Sequence, residues 1–331
     1  MKFLIGALFT FLLGFAFTFI VRGIARKRGI VAAPRADRWH HKPAALLGGV
    51  AIFAAFMIGY LAFGPRQILV YAVLAPATLL FISGLIDDRV QIKPYTKLVL
   101  QLIAAGIAVY LGLRLPWTTN VALNDLFTIF WLMAVPNAIN LLDNMDGLAG
   151  GISVICCVFL FITFMISGQP DEAMLAVLLG GAAGGFLVFN FNRASIFMGD
   201  CGSMFLGSML GGTALLSSYG RSRNLTAVLL APVLILLIPI FDTCFVTVTR
   251  KLSGRAITKG GKDHTSHRLV SLGMSERRAV VTLYTLAVVS GILALMVRIL
   301  RVEEILLLIP LFALAIVFVG VYLGKVRVYE P

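Results

Sequence analysis

A helix needs about 20 apolar residues, and at least about 17, to cross ~30 Å of hydrocarbon, and runs of that kind recur along the whole 331-residue chain. Hydrophobic residues make up 60% of the sequence and charged residues only 13%, where a soluble domain carries roughly 25% charged residues. Polar side chains are too few to cover a water-facing surface, so lipid is the main solvent. The short segments of alternating polarity that mark a membrane β-barrel are absent. The expected fold is an all-α, polytopic membrane helical bundle forming a single integral membrane domain over residues 1–331.

Eleven transmembrane helices are predicted at 3–21, 46–63, 68–86, 97–114, 122–139, 150–167, 172–190, 203–218, 225–249, 279–297 and 303–324. The segment 122–139 carries the weakest signal. The segment 225–249 is long enough to tilt or break near Pro239. Met1–Val21 lacks the basic leader and small-residue cleavage site of a cleaved signal and reads as the first crossing. Cys156, Cys157, Cys201 and Cys244 show no metal-ligand spacing and are expected to be reduced packing residues.

Eleven crossings put the two termini on opposite sides. The net charge is +13, and 21 of the 28 Lys and Arg residues fall on the side of the first loop. By the positive-inside rule that side is cytoplasmic, with the N-terminus outside and the C-terminus inside. The charge thus belongs to orientation, and nucleic acid is not needed to explain it.

The acids are more informative. Asp125, Asp171, Glu172, Glu303 and Glu304 flank helices on the outer side, whereas Asp87, Asp88, Asp143, Asp146, Asp200 and Asp242 gather at helix ends on the cytoplasmic side. Ionised groups at membrane depth are costly and face polar cavities. Six of them converging from separate segments repel one another unless a cation sits among them. Mg²⁺, with Mn²⁺ as a substitute, suits such oxygen ligands and shares them with phosphates.

Four motifs carry these acids or their partners. In GLIDDRVQIKP, Asp87 and Asp88 point about 100° apart on a helix, so one can face a metal and the other a neighbour; a solvated helix end is the plainer alternative. In NAINLLDNMDGLAGG, Asn140, Asp143 and Asn144 stack along one face, with Asn137 and Asp146 nearby. FNFNRASIFMGDCGS supplies Asn190, Arg193 and Asp200, where Asp200 also suits a helix N-cap. GRAITKGGKDHTSHRLVSLG sets His264 and His267 among Arg255, Lys259, Lys262 and Arg268, a field suited to phosphate rather than zinc, although a solvated basic loop is the simpler reading. The first loop, DRWHHKPAALLGG, adds His41 and Lys42.

Together these motifs resemble the polyprenyl-phosphate N-acetylhexosamine-1-phosphate transferases, in the family's order from Arg35 to Gly273. The resemblance implies Mg²⁺-dependent transfer of a sugar-1-phosphate from a UDP-N-acetylhexosamine to undecaprenyl phosphate, releasing UMP, at the cytoplasmic face of a bacterial inner membrane. It implies catalytic roles for Asp87, Asp88, Asp143, Asp146, His264 and His267. It makes Asp200, with Asp143, the metal ligands. Substrate contacts fall to His41, Lys42, Lys97, Asn137, Asn140, Asn190, Arg193 and Arg268. A homodimer is compatible with such a bundle.

The last loop reads DHTSHRL where the lipid I enzymes of the family carry three consecutive histidines, which points to an N-acetylglucosamine donor rather than the muramoyl-pentapeptide. The expected chemistry is direct attack by a lipid phosphate oxygen on the β-phosphorus, with a two-step route through an aspartyl phosphate as the alternative. A secondary transporter, the rival from another class, predicts carboxylates near mid-membrane and often an inverted repeat. Here the acids hug one face.

Overall fold

The computed structural model describes residues 1–32, 44–216, 225–256 and 261–326. Among them are thirteen helices and one short ribbon: α1 (Lys2–Lys27), β1 (Val31–Ala32), β2 (Ala44–Ala45), α2 (Gly48–Phe63), α3 (Ile68–Val90), α4 (Pro94–Tyr110), α5 (Val121–Leu142), α6 (Leu148–Ile166), α7 (Pro170–Asn190), α8 (Gly199–Leu215), α9 (Leu225–Ile235), α10 (Leu237–Leu252), α11 (Thr265–Ser271), α12 (Glu276–Met296) and α13 (Val302–Gly324). Each of the eleven expected crossings has its counterpart, including the weak one, now α5. Among the described residues, seven helices are long and apolar enough to span a bilayer on their own.

The long segment 225–249 breaks into α9 and α10 at Leu236, three residues before the expected place. Pro239 has no N–H to offer the carbonyl four residues back. That carbonyl, on Ile235, instead accepts the Cys156 thiol at 3.1 Å. In lipid a freed backbone group must find a partner inside the protein, and a buried cysteine provides it here.

α8 is the axis of the bundle. Every residue from Cys201 to Leu215 is buried, and the helix packs against α3, α5 and α2. Its 17 residues make it ~26 Å long, shorter than ~30 Å of hydrocarbon. Gly84 lets α3 come this close: a β-carbon there would lie 2.6 Å from the carbonyl of Asp200. At the other extreme, α13 buries only Ile305 and Leu323.

The two ends of the bundle differ in chemistry. At one end Gln67 donates to Asp171 at 2.8 Å, Arg114 pairs with Asp125, and Arg298 donates to Ser167 at 2.6 Å. The other end collects the C-termini of α3, α5, α7 and α10 with the N-termini of α4, α6 and α8. There β1 pairs with β2, and Ala45 bridges to Ile196 in the strap that leads into α8. All six acids assigned to one face by the sequence lie at this second end.

Candidate active site

The adjacent acids at the end of α3 have separate tasks. Asp88 turns to α8, where Oδ1 accepts the amide of Asp200 at 2.7 Å and Oδ2 that of Cys201 at 3.1 Å. These are first-turn amides with no partner inside the helix, and a carboxylate there also suits the helix dipole. Gly199, at φ +76° beside the Asp88 carboxylate, gives the tight entry this needs. The cap of α8 is therefore Asp88 rather than Asp200.

Asp87 turns the other way. Its Oδ1 accepts the amide of Ile92 at 2.8 Å, and its Oδ2 forms an ion pair with Lys97 of α4. The same ammonium reaches Asp200 Oδ2 at 2.8 Å. The other oxygen of Asp200 accepts Asn140 Nδ2 at 3.1 Å, and Asn140 also donates to Ser203 Oγ at 2.8 Å. Three helices thus meet on one carboxylate, and α3 joins them through Lys97. The side chains of Lys97 and Asp200 remain 35% and 33% exposed, so the cluster is open to a ligand.

Asp87 and Asp200 face a single positive charge from two separate helices. A pair of hard oxygen donors already arranged around a cation is a donor set that fits Mg²⁺. Among the described residues no three His, Cys, Asp or Glu side chains form a cage. Asp87 and Asp200 would hold such an ion, and waters and phosphate oxygens would have to supply its other ligands. Asp143, the other expected metal ligand, ends α5 one turn beyond Asn140.

A second polar group adjoins the first. Asp242, buried in α10, accepts His264 Nδ1 at 2.7 Å, the Thr265 amide at 2.8 Å and Thr265 Oγ1 at 2.6 Å. Arg250 grips Asp263 at 2.7 and 2.6 Å. Burial works against the Asp263 charge, but the Arg250 guanidinium holds its carboxyl below the usual range. His264 and His267 pack edge to face at 5.6 Å. Burial first, then the neighbouring His264, pushes His267 down to about 4. Ser266 donates to Asn144 Oδ1 at 2.7 Å. Asn140 touches Asp200 and Asn144 touches this loop, so the end of α5 joins the two groups.

Other expected residues are placed differently. Asn190 accepts the Gly147 amide at 3.1 Å and donates to the Ile196 carbonyl at 2.9 Å, while Asp146 accepts the Ala194 amide at 2.7 Å. Both brace the strap before α8 instead of touching Asp200. Arg268 is 7% exposed and donates through Nη1 to the carbonyls of Leu323 and Val326 at 3.0 and 2.7 Å. It anchors the end of α13. Asn137 is paired with Gln101. Arg193 is exposed, with φ +72°. His41 and Lys42 lie outside the described residues; β2, two residues after Lys42, is fixed beside the strap.

Nothing in the sequence marks Gln101, Arg250 and Asp263 as site residues, and Asp242 stands out only as one of the acids. A buried acid in an apolar run, as at Asp242, was the one usable signal. The pairing of Arg250 with Asp263 is invisible until the loop folds back.

Residues 70–218 match the family described as glycosyl transferase family 4. A probable undecaprenyl-phosphate N-acetylglucosaminyl 1-phosphate transferase of Bacillus subtilis (strain 168) is 34% identical over 84% of this chain and 80% of its own length. A decaprenyl-phosphate N-acetylglucosaminephosphotransferase of Mycolicibacterium smegmatis is 34% identical over 80% of this chain and 74% of its own. A phospho-N-acetylmuramoyl-pentapeptide-transferase of Limosilactobacillus reuteri is 27% identical over 88% and 97%.

Proposed function

This chain belongs to glycosyl transferase family 4, in its polyprenyl-phosphate N-acetylglucosamine-1-phosphate transferase branch, and we propose that its donor is UDP-N-acetylglucosamine and its leaving product UMP. It is a multi-pass bacterial membrane enzyme acting on a polyprenyl phosphate, for which we take undecaprenyl phosphate. Family membership sets the transporter aside. The polar end of the bundle is the cytoplasmic one in this reading, since a nucleotide-sugar is a solute of the cytoplasm.

The observation that carries the reading is the meeting of Asp87 and Asp200 on Lys97, at one end of an otherwise apolar bundle. Donor and acceptor are both anions, so their approach is opposed unless positive charge lies between them. Lys97 supplies part of that charge and fixes both carboxylates. An Mg²⁺ ion held by Asp87 and Asp200 would add neutralisation of the phosphate oxygens. Phosphoryl transfer is mainly positioning and charge stabilisation, which is what such a cluster offers.

In the reaction a non-bridging oxygen of the lipid phosphate forms the new bond to the β-phosphorus of the donor. The bond from that phosphorus to the bridging oxygen breaks, and its electron pair leaves with UMP. A phosphate monoester loses its second proton near pH 6, so the acceptor is mostly dianionic at neutral pH. Asp87 is the group poised to take the proton from the remainder. Direct attack therefore needs no phospho-enzyme. To the DHTSH loop, held by Asp242 and joined to α5 through Asn144, we assign contact with the sugar or diphosphate. The polyprenyl tail would run along the lipid-facing helices.

The N-acetylglucosamine donor is favoured over the muramoyl-pentapeptide by the DHTSHRL loop and by the two 34% relatives against 27%. The test is the purified protein with Mg²⁺, undecaprenyl phosphate and a panel of labelled UDP-sugars. UDP-N-acetylglucosamine is expected to give a lipid-linked product with one UMP per turnover. Absence of lipid product and UMP with every donor overturns the proposal.

A further inference from the structure

We propose that Gln101 is a positioning residue of this site, setting the spacing of α4 and α5 so that both reach Asp200 correctly; the inference rests on the transferase reading above. Gln101 is 2% exposed, within the apolar stretch of α4 that follows Lys97. Its Nε2 donates to Asn137 Oδ1 at 3.1 Å, and Asn137 Nδ2 donates back to Gln101 Oε1 at 2.7 Å. Asn137 also donates to the Met133 carbonyl at 2.7 Å. The two amides thus pair reciprocally across the helix interface.

One turn along α4 from Gln101 is Lys97, and one turn along α5 from Asn137 is Asn140. Lys97 donates to one oxygen of Asp200 and Asn140 to the other. α4 and α5 are therefore joined at two levels, by the amide pair below and by the Asp200 carboxylate above. Gln101 also lines the small pocket formed with Ser83, Asp87, Lys97, Asp200 and Met204. Amides pair at a fixed length and angle, so this contact sets a distance. An apolar pair would only set an area.

A purely structural role is the competing explanation, because amides often join helices in membranes while contributing little stability. The two differ in what they move. A structural joint changes thermal unfolding, whereas a spacer changes turnover. Misplacement of about 1 Å in a reacting group costs up to about 100-fold in rate, so a small shift in α4 matters to chemistry before it matters to folding.

The experiment compares kcat, donor KM and thermal unfolding in detergent for Gln101→Met, Asn137→Leu, the two combined, and the amide swap Gln101→Asn with Asn137→Gln. The combined variant leaves no unpaired buried amide and carries the test if a single one fails to fold. Expected are a tenfold or larger fall in kcat with little change in KM or unfolding temperature, a double variant no worse than the worse single, and recovery in the swap. Wild-type kcat in Gln101→Met or in the double variant overturns the inference, as do additive losses or a swap that recovers nothing. A wild type inactive with every donor overturns the transferase reading and this inference with it; an active wild type with an indifferent Gln101 overturns this one alone.

Discussion

Asp88 Oδ1 accepts the backbone amide of Asp200 at 2.7 Å, so one acid of the cluster holds in place the helix start that carries another. Its neighbour Asp87 is turned toward Lys97 instead. Two adjacent residues of one type are thus split between architecture and chemistry by the ~100° that separates them on a helix.

That division is testable with one substitution at each site. Asp88→Ala removes the cap of α8, and loss of a cap costs about 0.5–2 kcal/mol. It is expected to lower both unfolding temperature and turnover. Asp87→Asn keeps an acceptor for the Ile92 amide and is expected to lose turnover while unfolding close to wild type. Paired detergent unfolding and activity measurements decide; equal effects on stability contradict the split.

Lys97→Met leaves Asp87 and Asp200 facing each other without their shared ammonium. Deleting one preorganised electrostatic group typically costs about 100-fold or more in kcat, and a loss of that size is expected here. Initial rates at saturating donor measure it, and a fall of only a few-fold removes Lys97 from the reaction.

His267 gives a pH signature. Burial holds its folded pKa at about 4, against an ordinary value near 6.5. The unfolded chain therefore binds the proton more readily in that window. The stability tied to the neutral ring is fully present above about pH 6.5 and lost as pH falls toward about 4. His267→Asn is expected to unfold with a shallower pH dependence between those limits than wild type. Identical slopes in unfolding temperature against pH contradict the assignment.

Much of the frame was legible because lipid imposes a simple rule on sequence. Each apolar run became a helix, and even the fault in 225–249 was foreshadowed by Pro239. The gathering of Asp87, Asp88 and Asp200 was legible too, since carboxylates at the ends of apolar runs need a reason. Charge counting assigned the six acids to one face, and contacts between helix ends bring them to a common end. Contacts between distant segments were not legible. Asp88 caps a helix 111 residues away from it, and no local spacing encodes that. Asn137 and Asn190 stand out in the sequence because amides are unusual in membranes, but their protein partners, Gln101 and the strap before α8, could not be read there. Arg268 stands out in the sequence for its basic surroundings, but its hold on the carbonyls at the end of α13 does not.

The most direct test follows a phosphorus label. UDP-N-acetylglucosamine labelled at the β-phosphate is incubated with the reconstituted enzyme, undecaprenyl phosphate and Mg²⁺, and the lipid and aqueous phases are separated. Wild type is expected to move the label into the lipid with release of an equal amount of unlabelled UMP, and folded Asp200→Asn is expected to move none. Label that stays with the nucleotide in the wild type, or an Asp200→Asn protein that transfers it at the wild-type rate, contradicts a transferase centred on this carboxylate.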